Sequence, residues 1–201
     1  MFRAWCCLSV GLAGLAASTA TFGQAPADAW SRSTVEHTRT LAYSSSATIL
    51  GKSTRLHATF YCGTDRTKMA TGAIGFDVEL EHPEALAGFH FDDFEGPDAP
   101  TLKRKLLTAA VVRADGTRQT FQASPSGSYS VHEGFVFEVS EVFYRKGSTA
   151  RRVLEELRTD ATSLTLTILD SRVSSSRIEL AIPVTGRSAD FRWLLAELPA
   201  Q

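Results

Sequence analysis

The sequence predicts an α+β fold that is mainly β: an antiparallel β-sandwich-like domain with two short helices, the second at the C-terminus. Two observations carry this. Apolar and polar residues alternate through eight separate segments, the period of a half-buried strand. Only two stretches switch to helical spacing, and both fall in the last third of the chain.

Leu56, Ala58, Phe60 and Cys62 share one parity, and His57, Thr59 and Tyr61 share the other. Phe76, Val78 and Leu80 alternate with Asp77, Glu79 and Glu81, and Phe89 and Phe91 alternate with His90 and Asp92. Leu107–Arg113 and Arg118–Ser124 form a hairpin through Asp115-Gly116, because Gly accepts the positive φ of a tight turn. Phe135, Phe137 and Val139 are set against Val136, Glu138 and Ser140. A helix capped by Ser148 carries Val153, Leu154 and Leu157 to Arg158. Leu164, Leu166 and Ile168 then alternate with Thr165 and Thr167, and Ile178, Leu180, Ile182 and Val184 with Arg177, Glu179 and Ala181. Asp170–Ser176 is a polar link, and Pro183, with no N–H to donate, puts the last strand end at a sheet margin. The closing helix starts at Ser188 and spaces Phe191, Leu194, Leu195 and Leu198 along one face.

Residues 1–20 read as a secretory signal peptide: Arg3, an uncharged run from Ala4 to Ala17, then Ser18-Thr19-Ala20. The run is shorter than the roughly 20 apolar residues a membrane span needs. Cleavage is expected after Ala20, with Ala25 the less favoured site because Pro26 follows it. Cys6 and Cys7 precede the apolar run, which excludes lipid attachment at a cleavage-site cysteine. The expected organisation is a signal peptide over 1–20, a flexible leader over 21–29 and a single β-rich domain over 30–201. No later stretch is long and apolar enough to span a membrane as a helix, so the expected localisation is periplasmic or secreted. Removal of residues 1–20 leaves Cys62 alone, too few for an intramolecular disulfide. The chain has no Asn, hence no N-glycosylation site, and its preference for Arg over Lys fits a bacterial source.

Lys and Arg total 21 against 22 Asp and Glu in 201 residues, so no overall basic field attracts nucleic acid. The distribution is less even. From Met69 to Leu102 there is no Lys or Arg, but there are eight acids. Alternation puts Asp77, Glu79 and Glu81 on one polar strand face and His90 with Asp92 on another. These five residues are the candidate binding surface. Like charges on neighbouring strands repel, and Lys103, Arg104 and Lys105 are the expected counter-charge.

No catalytic residue, metal site or cofactor is assigned. In Asp92-Asp93-Phe94-Glu95-Gly96 a calcium loop would start at Phe91, which has no oxygen ligand to offer. His82 and His90 lack a recognised ligand spacing, and Cys62 shares the buried parity while His57 points to the other face. Gly51-Lys52-Ser53-Thr54 has Ser46 where a phosphate loop requires Gly, and there is no Gly-x-Ser-x-Gly elbow. Ser124-Pro125-Ser126-Gly127-Ser128 has the composition of a turn. Arg145, Lys146, Arg151 and Arg152 are flanked by Glu141, Glu155 and Glu156, the pattern of a solvated helix with internal ion pairs.

The strand Leu164–Leu169, the strand Arg177–Val184 and the closing helix Ser188–Leu198, with Trp30 opening the domain, resemble the layout of small periplasmic β-sandwich proteins associated with type VI secretion systems. The resemblance covers about a quarter of the chain and is one of layout, without a shared residue motif. No functional residue is carried over from it. The expected function is a non-enzymatic, exported protein that binds another envelope or exported protein through its acidic strand face. The alternative is a carboxylate-dependent hydrolase of an envelope polymer.

Overall fold

Ten strands divide between two antiparallel sheets in the computed structural model, which describes residues 28–49, 52–63, 73–131, 134–142 and 147–196. The expected signal peptide, both cleavage sites and Leu198 lie outside the described residues. The larger sheet holds β1 (Asp28–Val35), β2 (Thr38–Ile49), β3 (Lys52–Gly63), β4 (Ala73–Glu81), β7 (Ser126–Tyr129) and β8 (Gly134–Val142), in the order β1-β2-β3-β4-β8-β7. The smaller holds β5 (Leu107–Arg113), β6 (Arg118–Ala123), β9 (Ala161–Leu169) and β10 (Arg177–Pro183), in the order β10-β9-β5-β6. β1 begins at Asp28, so Asp28 and Ala29 of the expected leader are part of the sheet.

One apolar core joins the sheets. Its larger-sheet side is built by Leu56, Phe60, Phe76, Val78, Leu80, Phe135 and Phe137, all on the parity that alternation predicts. Leu107, Val111, Leu164, Leu166, Ile168 and Ile182 answer from the smaller sheet. Burying each such side chain contributes about 1.5–3 kcal/mol, which sustains the fold without a disulfide. Two helices complete the core. α1 (Thr149–Leu157) starts at the expected cap, with Ser148 Oγ accepting the Arg151 N–H at 3.3 Å, and it buries Val153, Leu154 and Leu157. α2 (Ser188–Leu194) drives Phe191 into the core, edge-on to Phe60 at 5.3 Å and to Trp30 at 6.1 Å. Pro183 ends β10, an edge strand, where its missing N–H costs no ladder bond.

Two expectations are corrected. Phe89–Asp92 is not a strand. The chain leaves β4 through His82, whose φ of 57° is left-handed, and makes two short 3-10 turns, Pro83–Ala85 and Phe91–Phe94. Local bonds such as Phe89 N–H to the Leu86 carbonyl replace a ladder. Phe89, Phe91 and Phe94 nevertheless all point inward, onto Phe135 and Phe137, so the apolar positions match a strand pattern while the backbone turns. Conversely, the serine-rich segment expected as a turn contains β7, which pairs with β8 from Ser126↔Glu138 to Tyr129↔Phe135.

Candidate functional site

The outer face of the larger sheet is where the acidic residues gather. Even-numbered residues of β4 enter the core, which leaves Asp77, Glu79 and Glu81 on the opposite face. The register sets Asp77 between Thr59 of β3 and Glu138 of β8, so two carboxyl groups lie directly across one strand pair. Burial pushes the Asp77 carboxyl up to about 6, with Glu138 and Glu79 adding to the rise and a hydrogen bond from Thr59 opposing it.

Tyr61 makes this arrangement tolerable. Its ring crosses Gly75 on β4, and its hydroxyl donates to Glu138 Oε1 at 2.6 Å. A Cβ at position 75 would lie 2.6 Å from the Tyr61 ring and from the Val139 carbonyl oxygen, so the close approach requires glycine. Burial, then Glu138, hold the Tyr61 phenol above its ordinary range, which keeps it a proton donor. Glu79 folds back over Gly134 of β8, and its Oε1 is buried without a hydrogen-bond partner. Among the described residues, no Lys, Arg or His forms an ion pair with Asp77, Glu79 or Glu138, whereas Asp93, Glu155, Glu156, Glu179 and Asp190 each hold an arginine.

A second polar chain crosses the same face. Ser44 Oγ lies 2.8 Å from His57 Nδ1, and His57 Nε2 lies 3.2 Å from Glu81 Oε1. The residue types are those of a hydrolase triad. The setting is different, because Ser44 is paired on both sides, to Ala29 and to His57. Its neighbours on both sides are ladder strands, and the contacts run from β2 through β3 to β4. The chain of bonds therefore acts as a cross-strand tie.

Of the five candidate binding residues, Asp77, Glu79 and Glu81 stand together on this face and the other two do not. His90 and Asp92 belong to the connection from β4 to β5. The His90 backbone N–H donates to Asp170 Oδ2 at 2.7 Å and its Nδ1 lies 3.0 Å from the same oxygen. Asp92 accepts the Tyr129 hydroxyl at 2.9 Å. Both left the strand face because the backbone there turns instead of extending. Nor is the basic run the counter-charge: Arg104 donates to the Ser171 carbonyl at 2.7 Å, and Lys103 and Lys105 are exposed. The residues that alternation alone did not bring to the face are Glu138 and Tyr61. Their polar parity was readable, but which strands flank β4 was not.

Among the described residues, no three His, Cys, Asp or Glu side chains are placed to hold a metal ion. No described helix is long and apolar enough to cross a membrane. Cys62 is buried in the core. No protein-family profile, curated protein or solved structure matches this chain.

Proposed function

We propose that the chain is an exported, periplasmic protein that binds another envelope protein and performs no catalysis, with the outer face of β4 and β8 as its contact surface. The observation that carries this reading is the acidity of that face: Asp77, Glu79 and Glu138 lie together, and among the described residues none of the three forms an ion pair, His57 across from Glu79 reaching Glu81 instead. A Lys or Arg from a partner would supply the missing charge, and complementary charge gives specificity and speed of encounter. The amino-terminal segment of Met1–Ala20 supports export.

The test is capture from native envelope extract at low and high salt, with the double variant Asp77→Lys, Glu79→Lys beside the parent chain. The expected result is one salt-sensitive partner, weakened about ten-fold or more by the variant while its circular dichroism stays unchanged. Undiminished capture by a folded double variant overturns the reading. The raised Asp77 carboxyl favours a second reading, acid–base hydrolysis of an envelope polymer together with Glu138. Release of labelled fragments from such a polymer by the parent chain, abolished by Asp77→Asn, would replace the first reading with the second.

A further inference from the structure

Beyond the end of β4, the segment that turns through Pro83 and Phe91 encloses a cleft of about 370 Å³ against the edge strand β7. The volume lies inside the range of roughly 300–1,000 Å³ typical of ligand pockets. Pro83, Leu86, Phe89, Phe91 and Tyr129 form its walls. Leu86, Phe89 and Phe91 are fixed by the core beneath them, so these walls are preformed. Tyr129 is different: it stays 49% exposed, set edge-on against Phe135, with its hydroxyl held by Asp92. An exposed aromatic ring of this size at an apolar cleft is a contact surface in waiting.

Among the described residues, the rim is acidic. Glu84 lines the cleft with a side chain 71% exposed. Asp92 and Glu95 lie close enough to Tyr129 that, after burial and the Asp92 hydrogen bond, their charges help raise its phenol. Two described bases nearby are already engaged: His82 Nδ1 lies 3.2 Å from Glu84 Oε1, and Arg172 grips Asp93 at 2.5 and 2.8 Å. Among the described residues, no Lys or Arg lines the cleft.

We propose that this cleft docks a peptide segment of a partner protein in which a large apolar side chain is flanked by lysine or arginine. The apolar side chain fills the space between Leu86, Phe91 and Tyr129, and the flanking cation meets Glu84 or Asp92 and the face of Tyr129. The inference rests on the protein-binding reading above but places a contact outside the β4–β8 face. An anionic or wholly apolar ligand fits less well, since the rim repels the first and gives the second no orientation.

The test pans a random-sequence displayed peptide library on the full chain and measures the enriched peptides by fluorescence anisotropy. Three variants accompany the parent: Ala87→Trp fills the cleft from an exposed position, Glu84→Lys reverses the rim, and Asp77→Lys with Glu79→Lys changes only the sheet face. The expected peptides carry Phe, Leu or Trp beside Lys or Arg. Each loses affinity about ten-fold or more in the first two variants and keeps it in the third. Peptides lost only from the third variant overturn the cleft and leave the sheet-face reading standing. Absence of enriched peptides, or enrichment of acidic ones, overturns the cleft as well. The salt-sensitive capture described above then decides the sheet face independently.

Discussion

Asp77 and Glu138 face each other across β4 and β8, and the fold accommodates the pair by favouring a proton on one of them. Burial is the leading cause that moves the Asp77 carboxyl from an ordinary 3.8 to about 6. Between those values the folded chain holds a proton that the unfolded chain has released. Stability from this group is therefore complete below about pH 4 and is lost as pH rises through 6. Asp77→Asn keeps a polar partner for Thr59 and removes the charge. It is expected to stabilise the protein by about 1–2 kcal/mol near pH 8 and to give no gain near pH 4. Urea denaturation at the two pH values measures this, and an equal effect at both would show that the buried charge on Asp77 is not what Asn relieves. The same residues are those proposed to meet a partner. A face that is unfavourable when alone gains most when a cation covers it.

Helix α1 shows how much of an element can be read from the sequence and what stays hidden. Ser148 was legible as a cap because a short hydroxyl residue precedes an apolar run at helical spacing, and its bond to Arg151 is present. Glu141 was not. Its carboxylate reaches from β8 to accept the Thr149 and Ala150 N–H groups at 3.0 and 2.9 Å, two donors that a helix start otherwise leaves to solvent. Nothing local marks it, since the contact depends on where β8 ends relative to the helix. We expect Glu141→Ala to cost about 1–2 kcal/mol, for two charge-assisted bonds at a helix N-terminus, and Ser148→Ala about 1 kcal/mol. Thermal denaturation of both single variants tests the order, and a larger loss at Ser148 would contradict it. Other elements divide on the same ground. Alternation located β3, β4, β5, β8, β9 and β10 because each sets a run of apolar residues on one parity, and β6 followed from the Asp115-Gly116 turn. It missed β1, β2 and β7, whose small polar residues leave little contrast between the faces, as in Ser44-Ser45-Ser46 and Ser126-Gly127-Ser128. It misplaced His90 and Asp92 because Phe89, Phe91 and Phe94 point inward from a turn as they would from a strand. The acidic face was half legible for this reason: parity within a strand is local, and the neighbour across it is not.

At the scale of the whole molecule, the long connection from β4 to β5 leaves the larger sheet and enters the smaller one. Asp170, at the end of β9, is the point to which that connection is tied. Its side chain is fully buried and accepts the backbone N–H groups of His90, Arg172 and Val173 as well as the His90 ring. Beside it, Asp93 binds the Ser171 hydroxyl and the Arg172 guanidinium, and Arg104 binds the Ser171 carbonyl. The β9–β10 turn and the connection thus share one polar knot, set against the aromatic layer of Phe89, Phe91 and Phe94. Burial pushes the Asp170 carboxyl up, but the bonds from His90, Arg172 and Val173 outweigh it and hold the group below the usual carboxylate range. The sign is then opposite to that of Asp77: the stability from Asp170 is present above about pH 4 and is lost as pH falls through its lowered value. Asp170→Asn preserves the shape but removes the charge that three N–H donors share. It is expected to cost about 3 kcal/mol at neutral pH, the scale for breaking a buried, hydrogen-bonded charge. The variant is also expected to lose less than the parent on acidification, since the group that titrates is gone. Urea midpoints at neutral and acid pH measure both effects. Hydrogen exchange adds a spatial check, because loosening the knot should raise exchange in residues 89–106 and 170–173 before the β3–β4 ladder. Uniform exchange in all of these segments would mean that Asp170 stabilises the fold as a whole and does not act as a tie between the sheets.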